Sequence, residues 1–418
     1  STPVALAPGA GYLLQVQDAH GRSLLFEYEA VSGSGSTPAS ARVKAIQDAA
    51  GQRIVVAYDA AGNLSSLTWP DGSSRSFVYE RSDLPWALTG VLDENGARKS
   101  SFGYDSLGRA ISTELAGGVN RYSVAYTTPP AALVSESYDA TAGVVYRVHS
   151  WQPPTGTVVT APNGSSSTLE VASVNGAPRL SSRSQPAGSG CEASTSELAY
   201  DAQGNISSRN DFNGKRVCYA HDSARNLETV RVEGLASSAS CASVTGTGAT
   251  LPAGSRKVST QWHPLWRLAS RVAEPGRWVT TVYNGQPDPS AGGAVAACAP
   301  SDALLPDGSP IAVVCKRIEQ ATTDATGALG FTASLQAGVA PRVWRYTYNR
   351  FGQVLSEDGP RTDVADVTTY TYYDTTTADW TRGDLQQITN PAGQVTQFTR
   401  YNPHGQVLQS VDANGLVT

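Results

Sequence analysis

Short runs rich in β-branched and aromatic residues recur along the chain, broken at close intervals by polar turns. Ile54-Val55-Val56-Ala57-Tyr58 is one such run, and Ser74-Arg75-Ser76-Phe77-Val78-Tyr79 is another. Val367-Thr368-Thr369-Tyr370-Thr371-Tyr372-Tyr373 does not alternate cleanly but is as strongly β-prone. No long apolar stripe of period 3.6 follows a helix cap, so the pattern predicts a chain almost without helix. Strands of about six residues would each span roughly 20 Å.

The turns have a fixed chemistry. Asp48-Ala49-Ala50-Gly51, Asp93-Glu94-Asn95-Gly96, Asp211-Phe212-Asn213-Gly214, Asn390-Pro391-Ala392-Gly393 and Asp412-Ala413-Asn414-Gly415 share one layout. Asp or Asn in first place accepts a hydrogen bond from the backbone two residues on. Glycine three residues later supplies the positive φ of a type I turn closing in a G1 bulge. Glycines follow one another at steps of 10 to 12 residues, as from Gly51 to Gly62 to Gly72 and from Gly393 to Gly405 to Gly415. Two steps make a unit of 21 or 22 residues, a pair of turns with a strand after each.

Every second turn is led by tyrosine. Tyr58-Asp59-Ala60-Ala61-Gly62-Asn63-Leu64, Tyr104-Asp105-Ser106-Leu107-Gly108-Arg109 and Tyr200-Asp201-Ala202-Gln203-Gly204-Asn205-Ile206 carry Asp. Tyr348-Asn349-Arg350-Phe351-Gly352-Gln353-Val354 and Tyr401-Asn402-Pro403-His404-Gly405-Gln406-Val407 carry Asn in its place. This motif, Y-D-x-x-G-[RNQ]-[LIV], resembles the YD-repeat or RHS (rearrangement hotspot) family, related to polymorphic-toxin and toxin-complex shell proteins. The resemblance covers 41–128, 191–236 and 341–418 clearly. Weaker copies occupy 129–190 and 237–340. Trp262-His263-Pro264-Leu265-Trp266-Arg267-Leu268 has Trp for Tyr, His for Asp and Trp for Gly. His221-Asp222-Ser223-Ala224-Arg225-Asn226-Leu227 has Arg where Gly is expected, and Tyr138-Asp139-Ala140-Thr141-Ala142-Gly143 is one residue longer. The fold class expected is all-β. Repeated antiparallel hairpins form one repeat-built region over 1–418, a long curved or spiral ribbon of shell type. Loops are expected at 31–41 and 283–295.

The family resemblance implies a secreted or cell-surface scaffold that encloses or displays a toxin or other polypeptide. Partners would be further repeats of the same or another chain, and a toxin cargo. Many such shells cut their own chain at paired Asp-Pro-x-Gly elements. Here Asp412-Ala413-Asn414-Gly415 has Ala in the Pro place, so the resemblance puts the cleavage segment and any toxin outside these residues, and it carries over no catalytic residue. The chain has no methionine, as expected of a processed product or a piece of a longer chain.

The Tyr-Asp pair has two readings. Tyrosines in an exposed row would stack on sugars and make a carbohydrate-binding or adhesion module. Tyrosines that cover the neighbouring hairpin would be structural plugs, needed once per repeat because each unit buries its face only against its neighbours. The structural reading explains more of the chain, and a filament built from such units is the remaining alternative. Eighteen Tyr against seven Phe fits a role that uses the hydroxyl.

Composition narrows the partners. The net charge is −5, against the basic surface that nucleic-acid binding requires. No apolar stretch reaches the 18 residues of a membrane span. Neither cofactor nor metal is expected: His20, His149, His221, His263 and His404 show no ligand spacing, and there is no C-x-x-C, G-x-S-x-G or phosphate-binding loop. Cysteines fall at Cys191, Cys218, Cys241, Cys298 and Cys315. Cys298 and Cys315 are equidistant from Pro306-Asp307, so a hairpin there would place them face to face for a disulfide; small apolar filler is the other reading. Cys191 and Cys218, two turns apart, would lie too far from each other to bridge.

Overall fold

The computed structural model describes residues 12–18, 20–31, 40–126, 133–139, 144–150, 156–190 and 192–418. Twenty-seven strands form one sheet, in which successive strands pair antiparallel along most of the described chain. The architecture is the all-β ribbon of hairpins that the turn spacing predicts. The described residues include one α-helix, the single turn Cys241–Thr245.

The chain divides into two compact units. The first comprises Ser1–Arg98, Val279–Glu319 and Ala340–Thr418. In it Gln15–Gln17, Ser23–Val31, Ser40–Gln47, Arg53–Tyr58, Leu64–Thr68, Ser74–Val78 and Gly90–Leu92 pair successively. A second run begins at Val314–Ala321, in the same unit up to Glu319, and continues through Arg342–Tyr348, Val354–Asp358, Val367–Tyr372, Leu385–Thr389 and Val395–Tyr401 to Val407–Val411. The stretch 283–295, expected as a loop, carries a miniature hairpin of Pro287–Asp288 and Ala294–Val295.

The second unit comprises Lys99–Trp278 and Gln320–Val339. Tyr122–Tyr126 pairs directly with Gly156–Thr160, and Leu133–Asp139 with Val144–Ser150 forms a separate two-stranded sheet. The side chains of that hairpin, including those of the Tyr138 copy, lie outside the described residues, as do 32–39 and Cys191. The unit's small core gathers Cys218, Val232, Leu235 and Val244. Lys257 is only 1% exposed, and its ammonium donates to the Gly246 carbonyl. Burial pushes that ammonium's pKa down, and the charge of Asp324 opposes the shift.

The turns themselves follow the local chemistry. In the Asp59 turn the Asp59 N–H donates to the Asn63 carbonyl at 2.9 Å, and the Gly62 N–H donates to the Asp59 carbonyl at 3.0 Å. Gly62, Gly108, Gly204, Gly352 and Gly405 all have φ between 76° and 88°, the left-handed region that a Cβ makes costly. A Cβ on Gly204 would also stand 3.3 Å from the Asn175 amide. Gly204→Val is therefore expected to lower stability by about 2 kcal/mol. Gly246→Ala is the control, at φ −63° with open space around it. Equal urea midpoints for the two variants would refute the turn assignment.

The copy with Arg225 departs from expectation. The positive φ, 53°, belongs to Asn226, whose N–H donates to the Asp222 carbonyl at 2.8 Å. Asparagine tolerates this region, so Arg225 is under no backbone demand.

Candidate functional site

Each repeat aromatic stands where its strand slips register against the next one. The irregularity falls at Ala57/Tyr58, Gly103/Tyr104, Ala199/Tyr200, Thr347/Tyr348 and Arg400/Tyr401. The same break occurs at Gln261/Trp262. An extra residue on the following strand makes the pair twist more strongly there.

The twist ends the ladder with the preceding strand, and the aromatic takes the carbonyl left over. Pairing of Ser40–Gln47 with Arg53–Tyr58 stops at Ala45↔Val55. One pleat further on, Val43 would face Ala57, and its carbonyl accepts from the Tyr58 hydroxyl at 2.8 Å. Tyr200 reaches Leu180 O at 2.7 Å, Tyr348 reaches Val314 O at 2.9 Å, and Tyr126 reaches Ala110 O at 2.9 Å by the same geometry. So do Tyr28 to Leu13 O and Tyr372 to Val354 O. Trp262 obeys the rule with its indole N–H, 2.8 Å from Glu228 O. Tyr401 binds Leu385 O at 2.5 Å, one residue out of step, because its strand carries a second irregularity between Phe398 and Arg400. A carbonyl beyond the ladder is thus satisfied by a donor on a rigid ring, which also covers the gap.

The rings are correspondingly sheltered. Tyr58, Tyr104, Tyr200 and Tyr348 are half-buried, and Tyr401 is 7% exposed. Burial pushes the Tyr348 and Tyr401 hydroxyls up to about 12. Arg42 lies 4.0 Å over the Tyr58 ring.

In the tyrosine-led turns the residue after the glycine completes the turn, a rule the sequence pattern contained but which the motif alone did not reveal. Where such a turn opens with Asp, this residue is a donor. Asn63 gives its amide to Asp59, Arg109 its guanidinium to Asp105, and Asn205 its amide to Asp201. Where the turn opens with Asn, it is Gln, whose carbonyl accepts from the Asn amide: Asn349 to Gln353, Asn390 to Gln394 and Asn402 to Gln406. The Asn63 amide is the chief reason that the Asp59 carboxyl stays below the usual range. Partial burial pushes the Asp105 carboxyl up, but the Arg109 N–H and guanidinium and the Leu107 N–H together hold it below.

The same position links one turn to another. Asn63 donates to Pro85 O, Asn205 to Asn226 Oδ1 and Gln353 to Gly383 O. Arg225, unneeded in its own turn, donates to His263 O at 2.7 Å and Trp266 O at 3.0 Å. In the first unit His404 Nε2 lies 2.7 Å from Asp48 Oδ2.

His263 takes the aspartate role outright. Its Nδ1 accepts from the Leu265 and Trp266 N–H groups, each at 3.1 Å. Burial pushes its pKa below the ordinary 6.5, and Arg225 adds to the shift. A depressed folded pKa means that the stabilisation is complete above pH 6.5 and is lost as pH falls through the folded value. His263→Asp, which accepts at any pH above about 4, is expected to flatten the urea midpoint between pH 7 and pH 5 relative to the parent. An unchanged slope would contradict the role.

Two disulfides complete the site. Cys298 and Cys315 are bonded, with Cα atoms 5.3 Å apart, beside a turn in which Gly308 N donates to Leu305 O. Cys218, for which spacing offered no partner, is bonded to Cys241 at the same Cα separation. Among the described residues no group of three or more His, Cys, Asp or Glu could hold a metal ion.

Residues 380–418 match the model of the RHS Repeat family, and the Tyr401 turn lies within the match. Residues 380–418 carry an RHS repeat. No curated protein sequence is significantly similar to the chain. Solved structures align with nearly all of it at low identity. A TcdB2-TccC3-TEV structure is 12% identical, over 95% of this chain and 22% of that one, with a TM-score of 0.41. A TcdB2-TccC3 structure is 10% identical, over 94% and 22%, with a TM-score of 0.42. The Photorhabdus luminescens Tc holotoxin pore is 12% identical, over 95% and 21%, with a TM-score of 0.40. The chain spans about a fifth of the length of these chains. What the repeated turns contribute is hydrogen bonding used internally: ring donors on carbonyls, turn carboxylates on turn amides.

Proposed function

We propose that this chain is part of a non-catalytic RHS-type scaffold, secreted or displayed at the cell surface, whose role is to enclose or present a toxin or other polypeptide. The observation that carries the reading is the use made of the repeat residues. Tyr58, Tyr200, Tyr348 and Tyr401 all donate to backbone carbonyls of their own ribbon and stand half-buried or buried. A sugar platform needs exposed ring faces, and an active site needs convergent groups free to act. Two disulfides favour an oxidising compartment. No helix of the described residues is long and apolar enough to cross a membrane.

The test is protease protection in the protein from which the chain comes. A polypeptide enclosed by the scaffold is expected to survive protease until the scaffold is unfolded or reduced. Cleavage of that polypeptide at the rate of its isolated form would overturn the enclosing role. Saturable binding to a glycan array, lost on substituting Tyr58 or Tyr200, would instead favour an adhesion module.

A further inference from the structure

One cavity in the first unit lies against the Asn349 turn. It has a volume of about 290 Å³, and its walls include His20, Arg350, Phe351, Tyr372, Tyr373 and Arg382. That is near the lower end of small-molecule sites. The guanidinium carbons of Arg350 and Arg382 lie 4.9 and 5.2 Å from the centre of the Phe351 ring. Both solvent-exposed arginines are thus within cation–π reach of the one ring that lines the cavity. No carboxylate of the described residues comes within ion-pair distance of either guanidinium.

The other polar groups around the cavity are mostly spent. The Tyr372 hydroxyl donates to Val354 O and the Tyr373 hydroxyl to Phe398 O. Asn349 and Gln353 bond each other, and the Gln353 amide is taken by Gly383 O. Asp374 also lines the cavity and brings one negative charge to it. Beside the His20 ring and the Asp374 carboxylate, what remains is the fork of N–H donors on two solvent-exposed arginines. Two arginines against one carboxylate leave the cavity net positive, and a planar or tetrahedral oxyanion matches the arginine donors in sign and shape.

We propose that this cavity binds the oxyanion group of a small ligand: a carboxylate, sulfate or phosphate held by Arg350 and Arg382 beside Phe351. The site is independent of the scaffold role and does not use the repeat tyrosines' donors.

Isothermal titration of the full chain at low ionic strength tests it, with glucuronate, sulfate and inorganic phosphate as probes and glucose as the neutral control. Saturable binding of at least one anion is expected, and the tightest probe distinguishes a sugar acid from sulfate or phosphate. The Arg350→Gln/Arg382→Gln double variant should weaken binding at least tenfold. Arg361→Gln should leave it unchanged, since that guanidinium already pairs with Asp363. A second measurement needs no variant: phenylglyoxal labelling read by peptide mass, in which a saturating anion protects Arg350 and Arg382 but not Arg361. Absence of saturation with every anion, equal binding of glucose, or labelling unaffected by the anions would each overturn the proposal.

Discussion

Replacing Cys218 and Cys241 together by alanine is expected to lower the unfolding free energy by about 3 kcal/mol. The bond closes a segment of 23 residues, and loop-closure entropy for that length gives roughly this figure. The location makes the constraint more valuable than on a plain hairpin. Residues 237–255 leave the ladder between two paired strands and contain only the five-residue helix Cys241–Thr245. A helix that short has no stability of its own. It is held by the disulfide and by Val244, which packs with the fully buried Cys218, Val232 and Leu235. Alanine at both positions keeps the site apolar, so the loss reports the covalent link and little else. Urea titrations of parent and double variant, each with and without reductant, provide the check. The parent's midpoint should fall to the variant's on reduction by a reagent that reaches the buried bond, while the variant shows the smaller change due to Cys298–Cys315. Coincident curves for the oxidised parent and variant would show that the link does not stabilise the fold.

That same disulfide marks where the sequence stopped being legible. The repeated turn can be read because the bonds that close it are local. Those between Asp59 and Gly62 or Asn63 span at most five residues, and the positive φ of Gly62 is permitted by its lack of a Cβ. The degenerate Trp262-His263 copy was readable for the same reason, since an imidazole nitrogen can accept where a carboxylate did. Cys241 gave no signal because its segment has no turn spacing from which to count strands. The Asp222 turn misled differently: Arg225 occupies the glycine place by alignment, but the turn shifts its left-handed residue to Asn226. The oxyanion cavity was beyond reach in principle, since it joins His20, Arg350 and Arg382 across more than three hundred residues of sequence.

Raising the pH above 10 is expected to unfold the protein through its tyrosines. In the unfolded chain a tyrosine hydroxyl ionises near 10, whereas in the folded protein Tyr348 and Tyr401 do so at about 12. Burial is the main cause for both; Asp384 and Tyr373 add to it at Tyr401, and Tyr346 and Glu357 at Tyr348. The sign follows from which state loses the proton first. Below pH 10 both states keep it, and the stabilisation is complete. Between 10 and 12 only the unfolded chain ionises, so stability falls with each step in pH. A shift of this size corresponds to about 2–3 kcal/mol for the buried Tyr401. Tyr401→Phe separates this effect from general alkaline damage. At pH 7 it should cost about 1 kcal/mol, because the Leu385 carbonyl loses its donor. Between pH 10 and 12 its stability should fall less steeply than the parent's, since phenylalanine has no proton to lose. The two curves should therefore converge as pH rises. Parallel curves through that window would mean that Tyr401 does not keep its proton by virtue of folding, and the hydroxyl's place on the carbonyl of the preceding strand would have to be abandoned.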